Sequence, residues 1–411
     1  MKLKTILGVY FALLCLAAPA SALSGTIDHG MSGVAASAQN TLVGGILQLT
    51  NGTDHQSLAF EYSHMPTPGP WHPESSWLLY TKELNGDGVH ALASDGSVDN
   101  PITTNSNNGY SDTTAQFTPN GGEVIFTFND SNDYNWKIAS IDADGQGFTN
   151  LTAVHDNTWE EQDPALSPDG SKIAFTSYFT STTLLTMDAD GSNVVTMAVD
   201  IQRGRHYGHS WSPSSDQLVF VSTTDTVRLV SLASPLMPMD LAADSSSQTY
   251  DKSPSWSPDG AAIAYINRQG YSSPMTHSIR LIPPTPGAAP TVITSVATSA
   301  YDVFEGPLSW SPNSRWLAFT KLVPSSAEKN IWAYDTREQE FHQLTDGYRD
   351  SFPFWSPDGA AIAFEDSGDS TTSRDQDHDS GNYEDVLIIE MLGPGFSSKD
   401  IVPPKTLLLL N

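Results

Sequence analysis

Large apolar residues alternate with small ones in short runs along this chain. Ile173 and Phe175 flank Ala174, Ile263 and Tyr265 flank Ala264, Leu317 and Phe319 flank Ala318, and Ile362 and Phe364 flank Ala363. A period of two puts the large side chains on one face of a strand. Turn signatures precede these runs: Ser167-Pro168-Asp169-Gly170, Ser257-Pro258-Asp259-Gly260 and Ser356-Pro357-Asp358-Gly359. Pro presets φ at the second position of a type I turn, and Gly tolerates the positive φ that follows. A second turn comes later in each unit, as in Asp142-Ala143-Asp144-Gly145 and Asp188-Ala189-Asp190-Gly191. It leads to a strand ending in Leu-Thr, as at Leu151-Thr152 and Leu344-Thr345.

The unit recurs. Its anchor residues are Trp71, Phe117, Leu166, Trp211, Trp256, Trp310 and Trp355, with spacings of 46, 49, 45, 45, 54 and 45. A four-stranded antiparallel unit of this length has the size of one propeller blade. One blade cannot bury both of its faces, whereas seven packed radially can. The pattern therefore predicts an all-β, seven-bladed β-propeller, with six blades as the alternative. Ile46-Leu47-Gln48-Leu49-Thr50 copies the strand that ends a blade, yet it precedes the first anchor. It is expected to pair with the last blade, after Asp385 to Leu392, and close the ring. Leu407 to Leu410 compete for that role.

Composition adds a compartment. Lys2 and Lys4, the apolar run Ile6 to Leu16 and the small residues Ala20-Ser21-Ala22 read as a signal peptide over 1–22. That run is too short to span a bilayer, so no transmembrane segment is expected after its removal. Residues 23–44 read as a flexible segment and 45–411 as a single propeller domain. Cys15 is the only cysteine, so the mature chain has no disulfide. The formal charge is −28, and losing Lys2 and Lys4 makes it −30. Such a surface disfavours nucleic acid and suits cations or basic partners. The expected location is periplasmic or secreted, and the expected state monomeric.

The anchors and their repeat, over roughly residues 45 to 392, resemble the TolB-like, or PD40 (WD40-like), β-propeller family. That resemblance implies the fold and leaves function open. TolB itself carries an α/β domain before a six-bladed propeller, so this chain resembles a relative. Prolyl oligopeptidase relatives carry a hydrolase domain beside such a propeller, and the repeat leaves no span of this sequence for one.

Five residues before each anchor stand Pro66, Asp112, Glu161, His206, Asp251, Glu305 and Asp350. The acids among them would either line a cation-concentrating mouth or cap backbone N–H groups between blades. The fourth repeat differs. Arg203, Arg205, His206 and His209 fall within seven residues of a chain with only 19 Lys and Arg. Two Arg would grip a carboxylate or sulfate, and two His would bind a transition metal or move a proton. The loop Asp375, Asp377, Asp379 alternates oxygens as a Ca²⁺ loop does, but Ser380 stands where an EF-hand needs Gly. Gly208-His209-Ser210-Trp211-Ser212 is no nucleophile elbow, because Ser212 replaces the final Gly.

Two functions follow. The first is a non-enzymatic binding or scaffold module for a protein or carbohydrate, with Trp159, Tyr207, Tyr250, Tyr301 and Tyr348 on the binding face. The second is a metal-dependent polysaccharide lyase. Oligogalacturonate lyases are similar in architecture, and that similarity implies His-bound Mn²⁺ with a basic residue that abstracts a proton. Arg203 or Arg205 would then hold the uronate carboxylate.

Overall fold

A computed structural model describes residues 43–50, 56–58, 69–82, 88–103, 112–130, 135–153, 160–178, 181–202, 208–242, 249–270, 273–299, 303–323, 328–346, 349–366 and 385–391. They form seven sheets, each of four antiparallel strands. Blade 5 shows the plan: Thr249–Trp256, Ile263–Gln269, Met275–Ile282 and Thr291–Thr298, hydrogen-bonded in that order. The anchor-bearing first strand is almost wholly buried, and the fourth is largely exposed. The anchor strands are therefore innermost. The fold is a seven-bladed β-propeller.

The ring closes as the sequence predicts. Val43–Gln48 pairs antiparallel with Asp385–Met391, Ile46 opposite Ile389, as the outer strand of blade 7. Thr50 explains the Leu-Thr motif. Its hydroxyl accepts the N–H of Val386 at 2.9 Å, as Thr152 accepts Ile138 at 3.1 Å and Thr345 accepts Ile331 at 3.0 Å. An N–H of the third strand, beyond the end of the fourth, is thus satisfied within the blade. Leu407 to Leu410 lie outside the described residues.

Seven apolar clusters fill the seven junctions. Between blades 2 and 3, for example, Ile125, Ile138 and Leu151 meet Ile173, Phe175 and Leu185. The small partners of the alternation, Ala174, Ala264, Ala318 and Ala363, are fully buried on the opposite face. Each lets the next blade approach, while each large residue contributes ~1.5–3 kcal/mol by burial.

Polar bonds between neighbouring blades come in two kinds. In the first, the anchor indole donates to the carbonyl just before the previous anchor: Trp71 to Phe354 at 2.9 Å, Trp211 to Ala165 at 2.9 Å and Trp310 to Ser255 at 3.2 Å. These blades carry Ser instead of Gly in the turn. Ser75, Ser215 and Ser314 have φ of 57°, 60° and 57°, and their hydroxyls accept the N–H of Asp358, Asp169 and Asp259. In the second kind, the anchor's own N–H donates to a side chain of the previous blade: Leu166 to Gln116, Trp256 to Ser210 and Trp355 to Ser309. The two kinds alternate from the junction of blades 2 and 3 round to that of blades 7 and 1. At the junction of blades 1 and 2, Pro70 has no side-chain acceptor to offer, and the His72 ring meets Phe117 edge-on at 4.9 Å.

Candidate functional site

The two ends of the propeller are chemically unlike. At the Ser-Pro-Asp-Gly end the carboxylates serve their own turns. Ser167 donates to Asp169 at 2.7 Å, Ser257 to Asp259 at 2.7 Å and Ser356 to Asp358 at 2.6 Å. A bond from the Ser171 backbone, then one from the Ser167 hydroxyl, holds the Asp169 carboxyl below the usual range. A cavity of about 350 Å³ opens at this end between blades 7 and 1, with Trp71, Ser75, Asp358 and Glu390 in its wall.

At the opposite end the innermost strands begin, and of the sequence-predicted site residues His209 and Tyr250 are described. His209 is buried within the innermost strand of blade 4, opposite Phe220. Arg203, Arg205, His206, Tyr207, Trp159, Tyr301 and Tyr348 lie outside the described residues, as do Asp375, Asp377 and Asp379. Gln202, just before the Arg/His cluster, donates to Asp225 at 2.7 Å, and the Asp225 carbonyl accepts the Asp251 N–H at 3.0 Å. Tyr250 is half-buried, with the Arg268 guanidinium over its ring at 4.1 Å. Among the described residues, no three His, Cys, Asp or Glu side chains come together as a metal-holding group, and no helix is long and apolar enough to cross a membrane.

The ring of acids needs correction. Register, not distance from the anchor, decides which residues are equivalent. Asp112, Glu161, Asp251 and Asp350 pair with Phe128, Ser177, Asn267 and Asp366, four residues beyond the partner of each anchor. In blade 1 the residue so placed is Gln56, opposite Lys82. Pro66 is not equivalent and lies outside the described residues. In blade 6 it is Phe304, opposite Lys321. The innermost strands of blades 2, 3, 5, 6 and 7 have a bulge, but that of blade 6 is a residue longer. Gln162 and Ala165 span Thr176 to Ala174, whereas Glu305 and Ser309 span Thr320 to Ala318. A slip of one residue turns every side chain beyond it to the other face. Glu305 therefore faces blade 7 and pairs with Lys329 of its own blade at 2.9 Å.

Two of the remaining acids, Asp251 and Glu161, hold the structure in different ways. Asp251 does what a cap would do: its carboxylate accepts the Val227 N–H of blade 4 at 3.2 Å and the Asn267 amide at 2.7 Å. It stands in for the Leu-Thr hydroxyl, since blade 4 has Leu241-Ala242. Glu161 instead neutralises Lys137 of blade 2 at 3.2 Å, with both side chains almost wholly buried. Lys137, Arg268 and Lys321 went unnoticed in the sequence. A polar residue ending an apolar run, as in Asn267-Arg268 or Thr320-Lys321, was the available signal.

No family model matches the chain. Two solved structures of oligogalacturonate lyase, one in complex with manganese and one from Vibrio parahaemolyticus, are similar at TM-score 0.62. Each is 11% identical and covers 84% of this chain and 93% of its own. TolB from Acinetobacter baumannii aligns at TM-score 0.46 and 15% identity, over 68% of this chain and 63% of TolB. Dipeptidyl-peptidase 5 of Porphyromonas gingivalis is 25% identical over 189 residues, 39% of this chain. The chain spans about a quarter of that relative's length. At these identities the likeness is one of fold.

Proposed function

We propose that this chain is an exported binding module. Residues 1–22 direct export, and the end of the ring where the innermost strands begin takes a protein or carbohydrate partner. The observation that carries this reading is the contrast between the ends. The turn end uses its side chains on backbone and neighbouring blades, and its Arg315, over the Trp316 ring, is tied to Asp335. The other end carries Tyr250 with Arg268 and Trp332 with Lys321, aromatic and cationic groups that differ from blade to blade. Such groups are typical binding anchors. The test compares wild type with Tyr250→Ala/Arg268→Ala on polysaccharide and protein arrays. A partner held by wild type and lost in the variant, at unchanged Tm, supports the reading. A partner that the variant keeps counts against this end. Mass spectrometry of the exported protein should find its N-terminus near Leu23.

The second reading is a metal-dependent lyase acting on uronate chains. It is favoured by the shared architecture, which covers 93% of the lyase chains. In this reading the Arg/His cluster would hold the metal and the carboxylate. Elemental analysis of wild type and His206→Ala/His209→Ala is the test, with ultraviolet absorbance of an unsaturated uronate product as the assay. Stoichiometric metal lost in the variant, together with product formation, would favour the lyase. No metal and no product would leave the binding module.

A further inference from the structure

The cavity between blades 7 and 1 lies where blade 7 lacks a cation that blades 3 and 6 carry. In blade 3, Lys172 pairs in register with Asp188, and their side chains form an ion pair at 2.6 Å. In blade 6 the corresponding acid is Asp335, and Arg315 reaches it at 2.6 Å. In blade 7 the acid is Glu390. All three acids stand opposite the residue just before the anchor's partner. Opposite Glu390 that residue is Ala361, and Ala360 takes the place of Arg315. Glu390 is exposed and makes no ion pair among the described residues. Blade 2 sets acid against acid there, Glu123 opposite Asp142.

The short residues also leave room. In an antiparallel sheet, paired residues share a face, as do residues two apart. Ala363 and Ile388 of blade 7 pack against Trp71, Leu78 and Tyr80 of blade 1, so that face looks at blade 1. Ala361 and Glu390, two residues from each, share it. Here the cavity measures about 350 Å³, within the range of small-molecule sites, about 300–1,000 Å³. Trp71, Ile388 and Met391 give it apolar walls, Asp358 and Glu390 supply two carboxylates, and no Lys or Arg is among the described residues that line it. Oδ1 of Asp358 accepts the Ser356 hydroxyl at 2.6 Å and the Ala360 N–H at 3.0 Å. Its Oδ2 has no hydrogen-bond partner among the described residues. A metal ion would find two carboxylates and a hydrocarbon wall, too few oxygens for a hard cation. A cation on a hydrocarbon stem matches both parts of the lining.

We propose that this cavity binds an alkylammonium group, with its nitrogen beside Glu390 and Asp358 and its methylene stem along Trp71, Ile388 and Met391. The ligand brings to blade 7 what Lys172 brings to blade 3. The net charge of −28 draws such cations to the surface. The site lies at the opposite end of the ring from the binding face and is independent of it. A free aliphatic amine and the Lys side chain of a polypeptide share this chemistry.

The experiment titrates the purified protein with n-butylamine, with neutral n-butanol, with ammonium chloride as the charge without the stem, and with Nα-acetyl-lysine amide. Ligand-observed NMR is the readout. Butylamine is expected to saturate and to bind about tenfold or more tighter than butanol or ammonium, the worth of one charged hydrogen bond or of two buried methylenes. Ala361→Lys gives blade 7 the pair that blade 3 has. It should keep the wild-type Tm and weaken butylamine about tenfold or more. Glu390→Gln, an exposed change, should weaken it about threefold or more. Binding of Nα-acetyl-lysine amide as well would identify polypeptide Lys as a source, and butylamine alone would identify free amines. An equal response to butylamine and butanol, no saturation, or an unchanged affinity in folded Ala361→Lys or in Glu390→Gln would overturn the proposal. Unchanged affinity would mean that amines gather on an acidic surface without a site. A partner found on the arrays but no amine binding would sink this site and leave the binding face intact.

Discussion

Two junctions at the same end of the ring bury cations in opposite ways. Between blades 2 and 3, Lys137 lies 3.2 Å from Glu161, and both are shut away from water. Between blades 5 and 6, Arg268 and Lys321 lie over the rings of Tyr250 and Trp332. The first arrangement cancels a charge and seals a seam. The second sets each cation against an aromatic face, with Lys321 half-buried. One inserted residue in an innermost strand separates the two outcomes, because it decides which blade an acid faces. Sequence repetition thus conceals a difference in chemistry that only register reveals.

The largest effect is expected for Lys137→Met. It leaves Glu161 buried without its cation, and ~3–5 kcal/mol of stability should be lost. Lys137→Met/Glu161→Leu should recover most of that in urea unfolding. A loss as large in the double variant would show that packing, not charge, holds the seam. The converse is to add an acid between blades 5 and 6. Val296, half-buried opposite His277, becomes Glu in Val296→Glu. Stability in urea unfolding should change by no more than about 1 kcal/mol.

Lys321→Met should change stability by about 1 kcal/mol or less at neutral pH, since only a cation–π contact is lost. Its pH profile is more telling. Burial lowers the folded-state pKa of Lys321, so the unfolded chain keeps this proton to higher pH. Stability therefore rises with pH between the folded value and the ordinary lysine value of about 10.4. The difference between wild type and Lys321→Met should show that rise, and a flat difference would refute it. The smallest effect belongs to the turn end. The Asp259 carboxyl is raised by partial burial, but bonds from Ala261, Ser257 and Ser314 outweigh this and hold it low. Asp169 is held low as well. Their stabilisation is complete above the unfolded carboxyl range, near 4, and is lost as pH falls through the lower folded values. Asp169→Asn/Asp259→Asn should shift slightly less than wild type between pH 7 and pH 3. Asn120 and Asn313 already fill this position in blades 2 and 6.

Turn chemistry and period-two alternation were enough to read the blades, their number and the closing strand, because both are local and repeated. Thr50 even announced its bond to the far end of the chain. The ring of acids was read by a fixed offset from the anchors. That offset failed in blade 1, where Gln56 fills the position, and at Glu305, where the strand bulges by one more residue. Bulge length leaves no mark on the hydrophobic pattern. The cation–ring contacts were illegible for another reason: Tyr250 and Arg268, like Lys321 and Trp332, belong to different strands, and only sheet pairing makes them neighbours.

The alternation of junction bonds has an arithmetic consequence. A pattern of period two cannot be carried round an odd-membered ring without meeting itself out of phase. Blades 1, 4 and 6 are of one parity, with Trp and a turn Ser; blades 3, 5 and 7 are of the other, with Asp-Gly. Blade 2 is hybrid: Gln116 serves blade 3 as Ser210 serves blade 5, yet Asn120-Gly121 matches the Asp-Gly class. Excising blade 2 would leave six members in strict alternation, with Pro70 the single position still lacking an acceptor. In its detailed bonding this ring counts in pairs, and blade 2 is the remainder.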